Sequence, residues 1–279
     1  MIRAGALDQL GANRATLIAS LDKAMQMADQ HNKNENAGFA DMFGFAAPQQ
    51  EQSSTTLDYL LEPDWTDKVR LQGEKETLGL YLTGHPIERY EPELKHFVST
   101  RLKDLKPDRK QMVVVAGLVV GLRLVNTKRG DKLAIVTLDD RTGRVDTAIY
   151  PEAYQKYRVL IVKDKLLVVE GSVSVDDFSG GFKMSCEHLF DIDQARERFA
   201  KRLEIKIGGD RIDNGFVDEL SSVLTPFRDG AMPVLLHYRG DTAQGKISLG
   251  NEWRVSPTDE LIYRLEALAG KERVRVVYG

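Results

Sequence analysis

Three groups of residues in this chain are of types that could do chemistry. The first is basic: Arg123, Lys128, Arg129, Lys132, Arg141, Arg144 and Lys183, interleaved with Phe178 and Phe182. Cations neutralise phosphates, and aromatic rings stack on bases at roughly 1–3 kcal/mol each without reading sequence. That mixture suits single-stranded nucleic acid. The same side chains also read as solvated hairpin charges, with the two phenylalanines packed across Gly180-Gly181. The second group is acidic, Asp139-Asp140, Asp176-Asp177 and Asp146. Carboxylates so paired could hold magnesium for phosphoryl transfer, but aspartates at strand ends bond nearby amides in turns, and turn chemistry is the reading adopted. The third group is apolar, Gly38-Phe-Ala-Asp-Met-Phe-Gly44 in an otherwise polar stretch. It is either a local cluster folding back or a short peptide whose Met42 and Phe43 enter a pocket on another protein. Polar linkers seldom carry such a cluster without a use, which favours the peptide.

Other chemistries find no support in the residues. The five histidines show no metal-ligand spacing, and no glycine loop has the strand-to-helix context of a nucleotide site. The one cysteine, Cys186, stands in a strand pattern as a small buried hydrophobe and suits a reducing cytoplasm. No metal site, cofactor or catalytic residue is assigned. A net charge of −3 and a pI near 6.0 give no global nucleic-acid signature, so any such affinity must be local. No apolar run is long enough to span a membrane.

The 279 residues suffice for two or three small domains. Residues 1–30 read as a short helix, a turn over Gly5–Gly11 and a helix from Ala12 to Asp29. Residues 31–63 are rich in Asn, Gln, Ser and Glu and read as a linker. Residues 64–110 form a helical segment, with a helix over Lys68–Leu82 and a break at Pro86. From 111 to 195 the period becomes two, predicting strands at Met112–Val120, Leu133–Leu138, Val145–Ile149, Leu166–Val175 and Phe182–Leu189. A helix at Pro151–Val159 between the third and fourth gives the order of an OB-fold barrel. Residues 196–279 read β-α-β-β-α-β, a ferredoxin-like sandwich or a small variant of one. The fold class is therefore multidomain α+β: a partial helix-hairpin-helix, a flexible linker, a five-stranded barrel and a small C-terminal sandwich.

The stretch Glu74-Lys-Glu-Thr-Leu-Gly-Leu-Tyr-Leu-Thr-Gly-His-Pro-Ile87 resembles the C-terminal quarter of the alpha subunits of bacterial DNA polymerase III. Ile2-Arg-Ala-Gly-Ala-Leu-Asp8, Asn126-Thr-Lys-Arg-Gly130, Thr137-Leu-Asp-Asp-Arg-Thr-Gly-Arg144, Asp176-Asp-Phe-Ser-Gly-Gly181 and Trp253-Arg-Val-Ser-Pro257 extend the likeness over nearly the whole chain. It implies the end of a duplex-binding helix-hairpin-helix in residues 1–30 and an internal sliding-clamp motif at Phe39, Asp41, Met42 and Phe43. It implies a barrel that handles single-stranded template and a tail domain that binds the clamp-loader tau subunit. The family motif resembles Gln-x-[Asp/Ser]-[Leu/Met]-Phe. Phe39 replaces a glutamine that would both donate and accept, so weakened clamp binding is expected. The family's PHP domain, magnesium-binding palm and fingers have no counterpart here. The resemblance thus implies a cytoplasmic fragment that tethers and does not polymerise DNA alone. An independent single-strand-binding protein is the alternative.

Overall fold

The computed structural model describes residues 1–36, 59–126, 130–176, 180–209, 215–240 and 243–279. It divides into two units, Met1–Pro86 and Ile87–Gly279.

In the first unit, single 3-10 turns at Ile2–Ala4 and Asp8–Leu10 end at Gly5 and Gly11, whose φ values of 81° and 86° suit glycine. Helix α1 (Arg14–Ala19) is capped by Asn13, which accepts from Thr16 N at 2.8 Å. Only Ser20 separates it from α2 (Leu21–Asn36). The single helix expected over Ala12–Asp29 is thus two, and α2 passes His31, where the linker was expected to begin. Ser20 marks the interruption because its hydroxyl accepts from the Leu60 amide at 2.9 Å. The Thr16 hydroxyl accepts from the Glu62 amide and donates to its carbonyl, and the Asn13 side-chain amide donates to that carbonyl too, pinning the returning chain along α1.

Helix α3 (Asp67–Leu78) starts at a Thr66 cap and stops at Gly79 with φ 75°. It ends four residues before the expected Leu82 because the Glu74 carboxylate takes the amides of Leu82 and Thr83, at 2.7 and 3.0 Å, and turns the chain back. Arg14 supplies the buried counter-ion at 2.9 Å and also grips Asp8 with two nitrogens at 2.8 and 2.7 Å.

The helical segment expected over 64–110 does not stay together. Residues beyond Pro86 join the second unit, where Ile87 and Leu94, the latter on the short helix α4 (Glu91–Leu94), pack on Ala116, Leu166 and Val168. The barrel strands are β1 (Asp108–Asn126), β2 (Lys132–Asp139), β3 (Arg144–Ile149), β4 (Leu166–Val175) and β5 (Phe182–Phe190), with α5 (Pro151–Tyr157) after β3. They close in the order β1-β2-β3-β5-β4, antiparallel except for β3 against β5. This is the OB arrangement. β1 is longer than its apolar run because one end pairs with β4 and the other with β2, curling past a bulge between Val119 and Gly121. Gly171 lies at the bulge in β4, where a Cβ would come 2.0 Å from the Ser185 carbonyl oxygen.

Helix α6 (Ile192–Phe199), opened by an Asp191–Gln194 capping box, leads into the tail domain. There β6 (Ala200–Gly208), α7 (Phe216–Leu224), β7 (Val234–Arg239), β8 (Gln244–Ser248), α8 (Asp259–Ala269) and β9 (Val274–Tyr278) follow the expected order. The sheet order is β8-β7-β6-β9, with β6 and β7 parallel and adjacent. A ferredoxin-like split unit would place another strand between its parallel pair, so this is the variant. Arg196 of α6, 4% exposed, meets Glu93 at 2.7 and 2.9 Å, Asp259 at 2.8 Å and the Pro257 carbonyl at 3.2 Å, joining the barrel side to the tail. Among the described residues no helix is long and apolar enough to cross a membrane.

Candidate nucleic-acid interface

Alternation along β2 buries Ala134, Val136 and Leu138 and turns Leu133, Ile135, Thr137 and Asp139 outward. Along β3, Val145, Thr147 and Ile149 point in, leaving Arg144, Asp146 and Ala148 outside. Register then sets Arg123 beside Ile135, Thr137 beside Asp146, and Asp146 beside Lys183. These pairings gather Arg123, Arg144 and Lys183 from three strands onto one outer face.

Each of the three cations has a carboxylate. Asp146 accepts from the Thr137 hydroxyl at 2.6 Å and from Arg123 at 3.1 Å, Asp139 takes Arg144 at 2.7 Å, and Asp176 takes Lys183 at 3.3 Å. Arg123 and Arg144 are 68% and 69% exposed, and ion pairs in such settings are worth only about 0–1 kcal/mol. The carboxylates therefore orient the arginines without locking them, and a phosphate can take their place. The sequence reading missed Asp146 and Thr137 as organisers of this face; the alternation of β2 and β3 is the signal that could have found them.

The remaining basic candidates lie elsewhere. Arg141, at φ 73° in the β2–β3 hairpin, donates its amide to Asp139 at 2.7 Å and its guanidinium to Glu88, so it does not join the outer face. Lys132 is exposed at the start of β2, and Phe182, 44% exposed, starts β5 opposite Val175. Lys128, Arg129 and Phe178, and likewise Phe39, Asp41, Met42 and Phe43, lie outside the described residues.

Asp139 and Asp140 act as turn formers. One Asp140 oxygen accepts from Thr142 N at 2.8 Å and Gly143 N at 3.0 Å, and the other from Leu102 N at 2.8 Å. Among the described residues no group of three or more His, Cys, Asp or Glu side chains could hold a metal. Cys186 is buried, and burial pushes its thiol up to about 12.

Sequence reasoning also missed an apolar groove of about 420 Å³ in the tail domain, between α7 and the sheet, lined by Leu220, Leu236 and Trp253 among others. Val217 and Ile247 border it while 68% and 54% exposed. The signal in the sequence is the apolar content of α7, Phe216-Val-Asp-Glu-Leu-Ser-Ser-Val-Leu224.

Two family models match, "DNA polymerase III subunit alpha, C-terminal domain" over residues 219–270 and "OB-fold nucleic acid binding domain" over 113–192. The DNA polymerase III subunit alpha of Vibrio cholerae is 45% identical over 279 residues, all of this chain and 24% of that protein. Those of Escherichia coli K12 and Pseudomonas aeruginosa are 45% and 38% identical, with 24% and 25% of each covered. The chain thus spans about a quarter of the length of the curated relatives it matches. Among solved structures, a replication protein A domain of Methanococcus maripaludis aligns with 33% of this chain and 93% of its own, at 19% identity and a TM-score of 0.28.

Proposed function

We propose that this chain, which matches the C-terminal region of DNA polymerase III subunit alpha, is the tethering part of a cytoplasmic replicative polymerase. Its barrel holds single-stranded template, residues 39–43 dock on the sliding clamp, and the tail domain receives the clamp-loader tau subunit. Residues 1–30 contribute a duplex contact in the manner of a helix-hairpin-helix. Polymerisation and its magnesium are assigned to no residue of this chain, and no cofactor enters its own role.

The observation that carries this reading is the outer face of β1, β2, β3 and β5, where Arg123, Arg144 and Lys183 converge on a barrel matching a nucleic-acid-binding family. Exposed, loosely paired cations on that face suit a template strand that must pass through continuously. Lys132 and Phe182, exposed at the strand starts, with Lys128, Arg129 and Phe178, are proposed as further contacts to the strand. For the tail, the groove beneath α7 offers Trp253 and Leu236 as walls for the apolar anchors on which protein partners depend. Met42 and Phe43 fit the anchor positions of a clamp peptide, and Phe39 in place of glutamine weakens that contact. Contacts that are individually weak suffice when linked, because each raises the effective concentration of the others.

The test is calorimetry of the chain against its cognate sliding clamp, with a Met42→Ala, Phe43→Ala double variant alongside. Saturable binding that disappears in the variant supports the reading. Clamp binding that is absent or insensitive to the substitutions refutes the clamp contact. With oligonucleotide binding retained, that result would leave an OB-fold single-strand-binding module.

A further inference from the structure

The tail-domain sheet has a second face, which none of the domain's described helices covers. Residues paired across strands share a face, so register aligns Lys206 of β6, His237 of β7 and Lys246 of β8 in one row. The next row holds Gly208, Arg239 and Gln244, and Arg275 of β9 stands beside Glu204. The intervening Leu203, Ile205, Ile207 and Val234 point the other way into the core. Facing out with Arg202, the four cations Lys206, Arg239, Lys246 and Arg275 meet one carboxylate among the described strand residues, Glu204, on a chain whose net charge is −3.

That carboxylate is already engaged. Glu204 accepts from Arg202 at 2.6 Å and lies 3.5 Å from His237. Lys206, Arg239, Lys246 and Arg275 are exposed and have no carboxylate partner among the described residues. On the barrel, Arg123, Arg141, Arg144 and Lys183 each have one. A cluster of positive charge without a described carboxylate therefore stands on the tail sheet, around a hollow of about 660 Å³ lined by Lys206, His237, Tyr238, Arg239 and Lys246.

We infer that this face binds the phosphate backbone of single-stranded nucleic acid without reading its bases, as a contact separate from the barrel. A protein partner needs buried apolar anchors, and of the outward positions only Leu235 and Val277 are apolar. A polyphosphate needs only cations in a row, which release its condensed counterions on contact. Tyr238 also lines the hollow, but the outward row is cationic, and cations that meet phosphates carry no sequence preference.

The test is anisotropy of a labelled oligo-dT with the full chain across a salt series, comparing a Lys206→Ala, Arg239→Ala, Lys246→Ala variant with an Arg123→Ala, Arg144→Ala barrel variant. Removing one cation from a phosphate flattens the log–log salt slope by about 0.7 for a single strand, so the tail variant should be shallower by about 2. Between 50 and 200 mM salt it would then lose about 20-fold less affinity than the parent chain. The same flattening in the tail variant, whatever the barrel variant does, supports this face independently of the barrel reading. A parental slope in a tail variant with unchanged circular dichroism overturns it. So does loss of polyglutamate binding with the dT slope intact, which would make this an acidic-peptide site. Should the triple variant misfold, Lys246→Glu alone, on an exposed edge strand, must weaken dT binding for the inference to stand.

Discussion

Replacing Glu74 by glutamine should destabilise the first unit by roughly 3 kcal/mol at pH 7, because an ionised carboxylate is what the site is built to hold. Glu74 is fully buried and accepts from Leu82 N, Thr83 N, the Thr83 hydroxyl and Arg14, all within 3.0 Å. Burial by itself raises its pKa. The amides of Thr83 and Leu82, with Arg14 and the Thr83 hydroxyl, outweigh that and hold the carboxyl at about 2, against an ordinary 4.5. That difference corresponds to roughly 3 kcal/mol of folding free energy. Because the folded value is the lower one, this stability is fully present above pH 4.5 and drains away as pH falls through about 2. At pH 3 about 2 kcal/mol of it should already be gone. Glutamine keeps the shape but not the charge, so the gap between parent and E74Q should narrow by that amount. Urea unfolding followed through Trp65 in a Trp253→Phe background reads the first unit directly. A gap under about 1 kcal/mol at pH 7, or one that is the same at pH 3, would refute the reasoning.

Two further outcomes follow from buried groups. Arg196→Ala strips the shared counter-ion from Glu93 and Asp259 and should cost about 3–5 kcal/mol. In calorimetry the tail and barrel should then melt separately, and a single unchanged transition would contradict this. Cys186, its thiol pushed up to about 12 by burial, should react with a disulfide reagent at pH 8 only after unfolding. Labelling of the native chain at the rate of an exposed cysteine would contradict that.

What the sequence displayed plainly was whatever depends on near neighbours. The barrel strands showed as period-two runs, and the glycine and aspartate turns showed as turns. The ends of β1 did not, because Asp108 and Asn126 are strand residues only through partners on β4 and β2. The division at Pro86 was half legible. Proline announced a break, but nothing local says that Glu74 reaches back 60 residues to Arg14 while Ile87 packs forward on Ala116. The interruption at Ser20 was hidden because the apolar spacing of α1 and α2 runs through it, and only Leu60, 40 residues on, gives that serine its task. The basic candidates showed in the sequence only as residue types. Their carboxylates were invisible because Arg123 meets Asp146 across 23 positions and Arg141 meets Glu88 across 53. The tail cations failed to stand out for the converse reason, being spread from 202 to 275 and aligned only by register.

Arg196 has a mechanical consequence. It sits on the helix that leaves the barrel, and its guanidinium grips a residue before the barrel and another at the start of α8. Load applied to the tail would be met by a short, stiff charge clamp instead of being absorbed by slack chain. Whatever grasps the tail would thereby also steer the barrel, fixing the heading of its outer face.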